Sequence, residues 1–295
     1  MKLRQRLPRP IRAAARRAYV AAGELTASHR PTPDFLLIGG QRCGTTSLFR
    51  ALEQHPRVAR PTLNKGVNYF DLNYHRGPRW YRAHFPTRAA LARRAGGDAR
   101  VFEASGYYLF HPLAPERIAA DLPGVKIVAM LRDPVERAFS AWKHETARGF
   151  DTLGFEEALA REEERTSGER RRLRADPDHH SYAYRHYSYA SRGDYAEQLR
   201  EYYRRLPASD ILVIYSEDFF ARPDEEFARL CSFLGLPAPT GVIFDQHNAR
   251  PSSPMPGGSR RWLTERYRDQ ARELEDLTGR TPPWPDLTRA GSGRD

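Results

Sequence analysis

Apolar positions along the chain come in two arrangements: short uninterrupted runs, and longer stretches in which they recur every three or four residues. Residues 35–38 (Phe-Leu-Leu-Ile), stopped by Gly39-Gly40, have the length and make-up of a buried strand. Residues 101–103, 126–131 and 211–215 read the same way. Between these runs the period changes. Leu48, Phe49 and Leu52 recur at helical spacing up to His55-Pro56. Val135, Ala138, Phe139 and Trp142 fall at i, i+3, i+4 and i+7 behind Pro134, which suits a first helical turn. Residues 195–205 predict another helix, and Phe227, Leu230, Cys231 and Leu234 the buried stripe of the next. A last amphipathic helix carries Leu263, Tyr267, Gln270, Leu274 and Leu277 and ends before Pro282-Pro283-Trp284. Strands alternating with helices predict an α/β fold with a central parallel sheet covered by helices on both faces.

That pattern places the main domain at residues 34–285, between an arm at 1–33 and a tail at 286–295. Inside it, residues 161–190 are charged and rich in His and Tyr, which marks a mobile or acceptor-facing insertion. The arm holds seven basic residues in its first 17 and ends at Pro31 and Pro33. A solvated tail is the plainer expectation, and an amphipathic arm lying on an anionic membrane is the alternative.

Composition narrows the partners. With 40% apolar and 29% charged residues the chain is that of a soluble globular protein, and no apolar run approaches the ~18 residues of a spanning helix. A net charge of +11, from 48 Lys plus Arg against 37 Asp plus Glu, favours anionic partners without choosing among them. Cys43 and Cys231 are too few for a disulfide framework and lack zinc-site spacing, so a reducing, cytoplasmic setting without a structural metal is expected.

The chemistry is concentrated in Gly39-Gly40-Gln41-Arg42-Cys43-Gly44-Thr45-Thr46-Ser47. This is the Gly-x4-Gly frame of a P-loop, set between a predicted strand and a predicted helix, where backbone N–H groups turn toward an anion. Arg42, Cys43, Gly44, Thr45, Thr46 and Ser47 are the candidate anion-binding positions. A nucleoside triphosphatase has Lys after the second glycine; here that position is Thr45, and a cation stands earlier at Arg42. The loop therefore suits an anion shorter than a triphosphate.

This loop resembles the 5′-phosphosulfate loop of sulfotransferases, especially the branch that includes the heparan sulfate N- and 3-O-sulfotransferases. The segment 131–140, Leu-Arg-Asp-Pro-Val-Glu-Arg-Ala-Phe-Ser, is similar to the family's 3′-phosphate segment, which implies that Arg132 and Ser140 hold that phosphate. Arg132 also stands at the carboxyl end of a predicted parallel strand, where such folds bind ligands. One of Arg250, Arg260 and Arg261, with Arg250 preferred, lies near the family's C-terminal donor loop. The resemblance implies 3′-phosphoadenosine 5′-phosphosulfate as co-substrate, 3′,5′-adenosine bisphosphate as product, no metal and no nucleic-acid partner. It further implies a carbohydrate or small-molecule acceptor, which the insertion at 161–190 could face.

On the acceptor side the chain departs from that pattern. Where the heparan sulfate 3-O-sulfotransferases have Lys-Glu-x-His, with the Glu as base, this chain has Lys65-Gly66-Val67-Asn68, and a family Lys is replaced by Ala104. Arg42 and the loop amides are the candidates for stabilising the transferred group, and Lys65 for sharing its charge. Glu103 is the preferred base, with His111 and His144 as rivals. Cys43 reads as packing and not as a nucleophile. A P-loop kinase and a non-catalytic basic protein holding an anionic polymer or membrane remain open as other functions.

Overall fold

Each predicted strand forms, and a fifth joins them at the edge of the sheet. The computed structural model describes residues 9–95, 98–245 and 254–288. Strands β1 (Phe35–Leu37), β2 (Val58–Ala59), β3 (Arg100–Ala104), β4 (Lys126–Leu131) and β5 (Ile211–Tyr215) make one sheet in the order β2-β3-β1-β4-β5. All of its pairings are parallel, with Leu37 opposite Ala104 on one side and Val128 on the other.

The strands' period of two divides the core. Leu36, Ile127, Ala129 and Leu131 face one layer, while Phe35, Leu37, Val128 and Met130 face the other. The first layer is filled from α3 (Ala114–Asp121), α4 (Pro134–Ala147), α6 (Tyr195–Tyr203) and α8 (Gly257–Thr278) through Ile118, Ala138, Leu199, Leu263 and Leu274. The second is filled from α2 (Thr45–Gln54) and α7 (Pro223–Phe233) through Leu48, Phe49, Leu52, Phe227 and Leu230. Helices thus cover both faces, as the alternation predicts. The chain leaves β1 toward β3 and later returns to its other flank as β4, so a crevice opens at the carboxyl ends of β1 and β4.

Two segments differ from the sequence reading. The arm is not a frayed tail where it is described: α1 (Arg9–Leu25) is helical, built mainly from Ala and Arg, both good helix formers. Its far end docks so closely that a Cβ at Gly23 would lie 2.7 Å from the Ala83 carbonyl oxygen, whereas residues 10–18 are exposed. Among the described residues no helix is long and apolar enough to cross a membrane. The insertion at 161–190 is packed and includes Glu162–Thr166, Glu169–Ala175 and α5 (Tyr182–His186). Buried Glu162 accepts hydrogen bonds from the amides of Tyr189, Ala190 and Ser191, and Asp151 accepts two from Arg165.

Candidate active site

The Gly-rich loop follows β1 directly, and its backbone bends through two left-handed residues, Arg42 (φ 72°) and Gly44 (φ 81°). Gly44 caps α2 and its carbonyl accepts from the Ser47 amide at 2.9 Å, which leaves the amides of Thr45 and Thr46 at the positive end of the helix dipole. Three cations gather on this turn. Arg42 donates from Nε to Ser140 Oγ on α4 at 3.0 Å, and Arg132 donates from Nη1 to the Arg42 carbonyl at 3.4 Å. Lys65 comes from the opposite side and donates from Nζ to Thr45 Oγ1 at 3.1 Å and Thr46 Oγ1 at 3.3 Å. The cation missing at position 45 is thus supplied from a loop 20 residues further on. Burial, with Arg50 adding to it, lowers the Lys65 ammonium from 10.5 to about 8.

Arg132 is held for this task by its surroundings. Asp133 caps α4 by accepting from the amides of Val135 and Glu136, and the Tyr195 hydroxyl donates to the Arg132 carbonyl at 2.9 Å. Glu136 pairs with Arg260 at 2.6 Å, so neither neighbouring carboxylate takes the Arg132 guanidinium. Cys43 is buried with its Sγ 3.6 Å from the Tyr195 hydroxyl. Burial raises its thiol to about 11, which fits packing and not nucleophilic attack. The structure brings these residues together: a P-loop with Thr in the Lys position, flanked by Arg42, Lys65, Arg132 and Ser140.

The model of the sulfotransferase domain matches residues 32–251. The chain belongs to the sulfotransferase family. Among its relatives, the mouse (Mus musculus) bifunctional heparan sulfate N-deacetylase/N-sulfotransferase 4 is 36% identical over 127 residues, 41% of this chain and 14% of that protein. The human (Homo sapiens) bifunctional heparan sulfate N-deacetylase/N-sulfotransferase 3 is 28% identical over 276 residues, 83% of this chain and 30% of that protein. Mouse heparan sulfate glucosamine 3-O-sulfotransferase 3B1 is 28% identical over 221 residues, 75% and 50% respectively. The chain therefore spans half or less of the length of these curated relatives. The crystal structure of a sulfotransferase from Alicyclobacillus acidocaldarius superposes with a TM-score of 0.60 at 30% identity, covering 88% of this chain and 100% of that one.

In this chain the structure corrects the expectation for Glu103. Its carboxylate does not face an open cleft; it is fully buried and accepts from five donors. Oε1 takes the amides of Val67 (2.8 Å) and Asn68 (3.2 Å) and the hydroxyls of Ser105 (2.5 Å) and Tyr108 (2.9 Å), while Oε2 takes the Tyr81 hydroxyl (2.6 Å). Such a group organises the 65–68 loop and, having no exposure, is closed off from an acceptor in solvent. His111 is also removed from the cleft: it is buried, burial lowers its imidazole to about 3, and Nδ1 accepts from the Leu113 amide at 3.3 Å. His144 lies in the last turn of α4 with Nε2 3.3 Å from Arg148 Nη1. Arg250 falls outside the described residues, and Arg260 is occupied by Glu136.

Gly66 explains part of the departure from the family pattern. A Cβ there would sit 2.5 Å from the Ala104 carbonyl oxygen and 2.6 Å from Ser105 Oγ, so no side chain fits without moving backbone. Gly66→Ala is therefore expected to cost about 1–3 kcal/mol of stability. It should also loosen Lys65 and weaken nucleotide binding. Thermal melts and calorimetry check both effects, and a variant as stable and as tight as the parent would contradict the close packing.

Sequence reasoning missed a polar chain on the remaining side of the loop. Arg192 donates to Gln41 Oε1 at 3.3 Å, Gln41 Nε2 donates to Glu145 Oε1 at 2.5 Å, and Glu145 Oε2 meets His186 Nδ1 at 2.6 Å. Only the position of Gln41 inside the loop hinted at it.

Proposed function

We propose that this chain transfers the sulfuryl group of 3′-phosphoadenosine 5′-phosphosulfate to a hydroxyl or amine of a carbohydrate or small-molecule acceptor, with the loop 39–47 as the donor site. The observation that carries this reading is the convergence of Arg42, Arg132, Ser140 and Lys65 on a P-loop whose triphosphate-gripping Lys is replaced by Thr45. The amides of α2 and Lys65 would hold the phosphosulfate, and Arg132 with Ser140 the 3′-phosphate. Transfer is in line: the acceptor atom bonds to sulfur as the bond from sulfur to the 5′-phosphate oxygen breaks. Arg42 and Lys65 stabilise the charge on the equatorial oxygens and the leaving phosphate. The heparan sulfate relatives support a carbohydrate acceptor, and two free buried thiols fit the cytoplasmic setting we assign.

Titration calorimetry tests the donor site. 3′,5′-Adenosine bisphosphate should bind and Mg-ATP should not. The affinity for the bisphosphate should fall as pH rises through about 8, where Lys65 loses the proton that attracts the anion. Tight Mg-ATP binding with the bisphosphate ignored would turn the reading to a kinase. Bisphosphate binding without transfer to any acceptor would leave a binding protein.

A further inference from the structure

From the same polar chain we infer that His186 is the general base that deprotonates the acceptor, held and polarised by Glu145. The inference rests on the sulfotransferase reading of the loop and deepens it.

Three observations fix the imidazole. Glu145 is buried, and although burial opposes its charge, the hydrogen bonds from His186 and Gln41 more than offset that and hold its carboxyl below the ordinary value. An ionised carboxylate can only accept, so the proton on the facing nitrogen belongs to His186 Nδ1, and Nε2 carries the basic lone pair. Among the described residues Nε2 has no hydrogen-bond partner, and it is not one of the buried unpaired atoms, so solvent or an acceptor reaches it. This is the carboxylate-oriented imidazole of general-base catalysis, built from α4 and α5.

Its location points to the acceptor. The loop has the 3′-phosphate residues Arg132 and Ser140 on one side and Lys65 on another. Gln41, adjacent to Arg42 in the loop, donates to Glu145, and that one carboxylate separates its amide from His186. The imidazole packs at the corner formed by the rings of Phe150 and Tyr182, at 4.4 and 4.6 Å between centroids, and those two rings meet edge to face at 6.3 Å. That is an aromatic wall on which a sugar or a planar acceptor can rest. The charged partner of the imidazole is Glu145, and the Arg148 guanidinium lies over the Phe150 ring at 4.7 Å. The insertion is tied to this wall where its Arg165 donates to Asp151, next to Phe150, and where the Tyr182 hydroxyl donates to the Phe150 carbonyl at 2.9 Å.

In the step itself the acceptor oxygen forms the new bond to sulfur while the sulfur–oxygen bond to the 5′-phosphate breaks. The acceptor proton moves to Nε2, and the bisphosphate departs with the electron pair of the broken bond. The imidazolium, paired with Glu145, then returns the proton to solvent.

The test uses the full chain, the variants His186→Gln and Glu145→Gln, ³⁵S-labelled donor, and two acceptors that differ in whether a proton must be removed: water, and 4-nitrophenol at a pH where it is ionised. Loss of a general base typically lowers rate by about 10²–10⁴-fold. For His186→Gln the loss with water should therefore exceed that with 4-nitrophenolate by at least about tenfold, with bisphosphate affinity unchanged. Glu145→Gln should show the same bias to a smaller degree. Equal losses on both acceptors, or unimpaired hydrolysis, would make His186 a positioning residue and overturn the assignment. A parent that binds the bisphosphate but transfers to neither acceptor would overturn it as well. A parent that fails to bind the bisphosphate refutes the donor reading instead.

Discussion

Replacing Arg42 by alanine is expected to lower sulfuryl transfer by about 10²–10³-fold, the usual cost of losing a preorganised charge-stabilising donor, while leaving the fold in place. The side chain is only partly buried, and its contact with Ser140 Oγ joins two surface-accessible groups at the rim of the site. Little packing is lost with it. The left-handed backbone at position 42 (φ 72°) strains alanine as much as arginine, so the substitution adds no new backbone cost. Label transfer from ³⁵S-donor measures the rate, and a melting curve within a degree or two of the parent confirms the fold. Unchanged transfer would remove Arg42 from the chemistry and leave Lys65 and the loop amides as the whole electrostatic device.

Glu103→Ala should act in the opposite way, on stability first. The substitution strips one acceptor pair from two backbone amides and three hydroxyls in a site with no exposure. Burial, with the charge of Glu103 itself adding to it, pushes the phenols of Tyr81 and Tyr108 far above their ordinary values, so they remain donors and need an acceptor. Unpaired buried donors cost about 1–3 kcal/mol each when they cannot find new partners. With partial relaxation a total loss of about 3–5 kcal/mol is expected, comparable to removing one member of a buried ion pair. That is a large share of the ~5–15 kcal/mol that stabilises a typical domain. Urea unfolding measures it. Glu103→Gln retains one carbonyl acceptor for the amides and should be milder. A Glu103→Ala variant as stable as the parent but inactive would restore the carboxylate to the reaction and sink its structural role.

The placement of Glu103 shows what was legible and what was not. The β1–loop–α2 unit, the alternation that makes a parallel sheet and the approach of Arg132 to the loop all follow from local patterns. Glu103 could have been placed by strand parity, because Val101 and Glu103 share a face and Val101 belongs to the core. A carboxylate on that face runs against the expectation that charge lies outside, and its five donors come from three separate stretches of chain. β2 is two residues long and carries no periodicity to read. The chain Arg192–Gln41–Glu145–His186 links positions up to 151 residues apart, and no local spacing encodes such a contact. The helix of the N-terminal arm was masked by its charge, which suggests solvation even where Ala and Arg favour helix.

Lys65 has one more consequence, which concerns heat and not affinity. Near pH 8 about half of its amines are neutral before any nucleotide arrives, held against the two threonine hydroxyls. An anion settling on the loop favours the charged amine, so each binding event draws a fraction of a proton out of the medium. The enthalpy recorded in Tris, which releases its proton at a large heat cost, should therefore differ from that in phosphate, while the dissociation constant stays the same. The slope of observed enthalpy against buffer ionisation enthalpy would count the protons that enter with the donor.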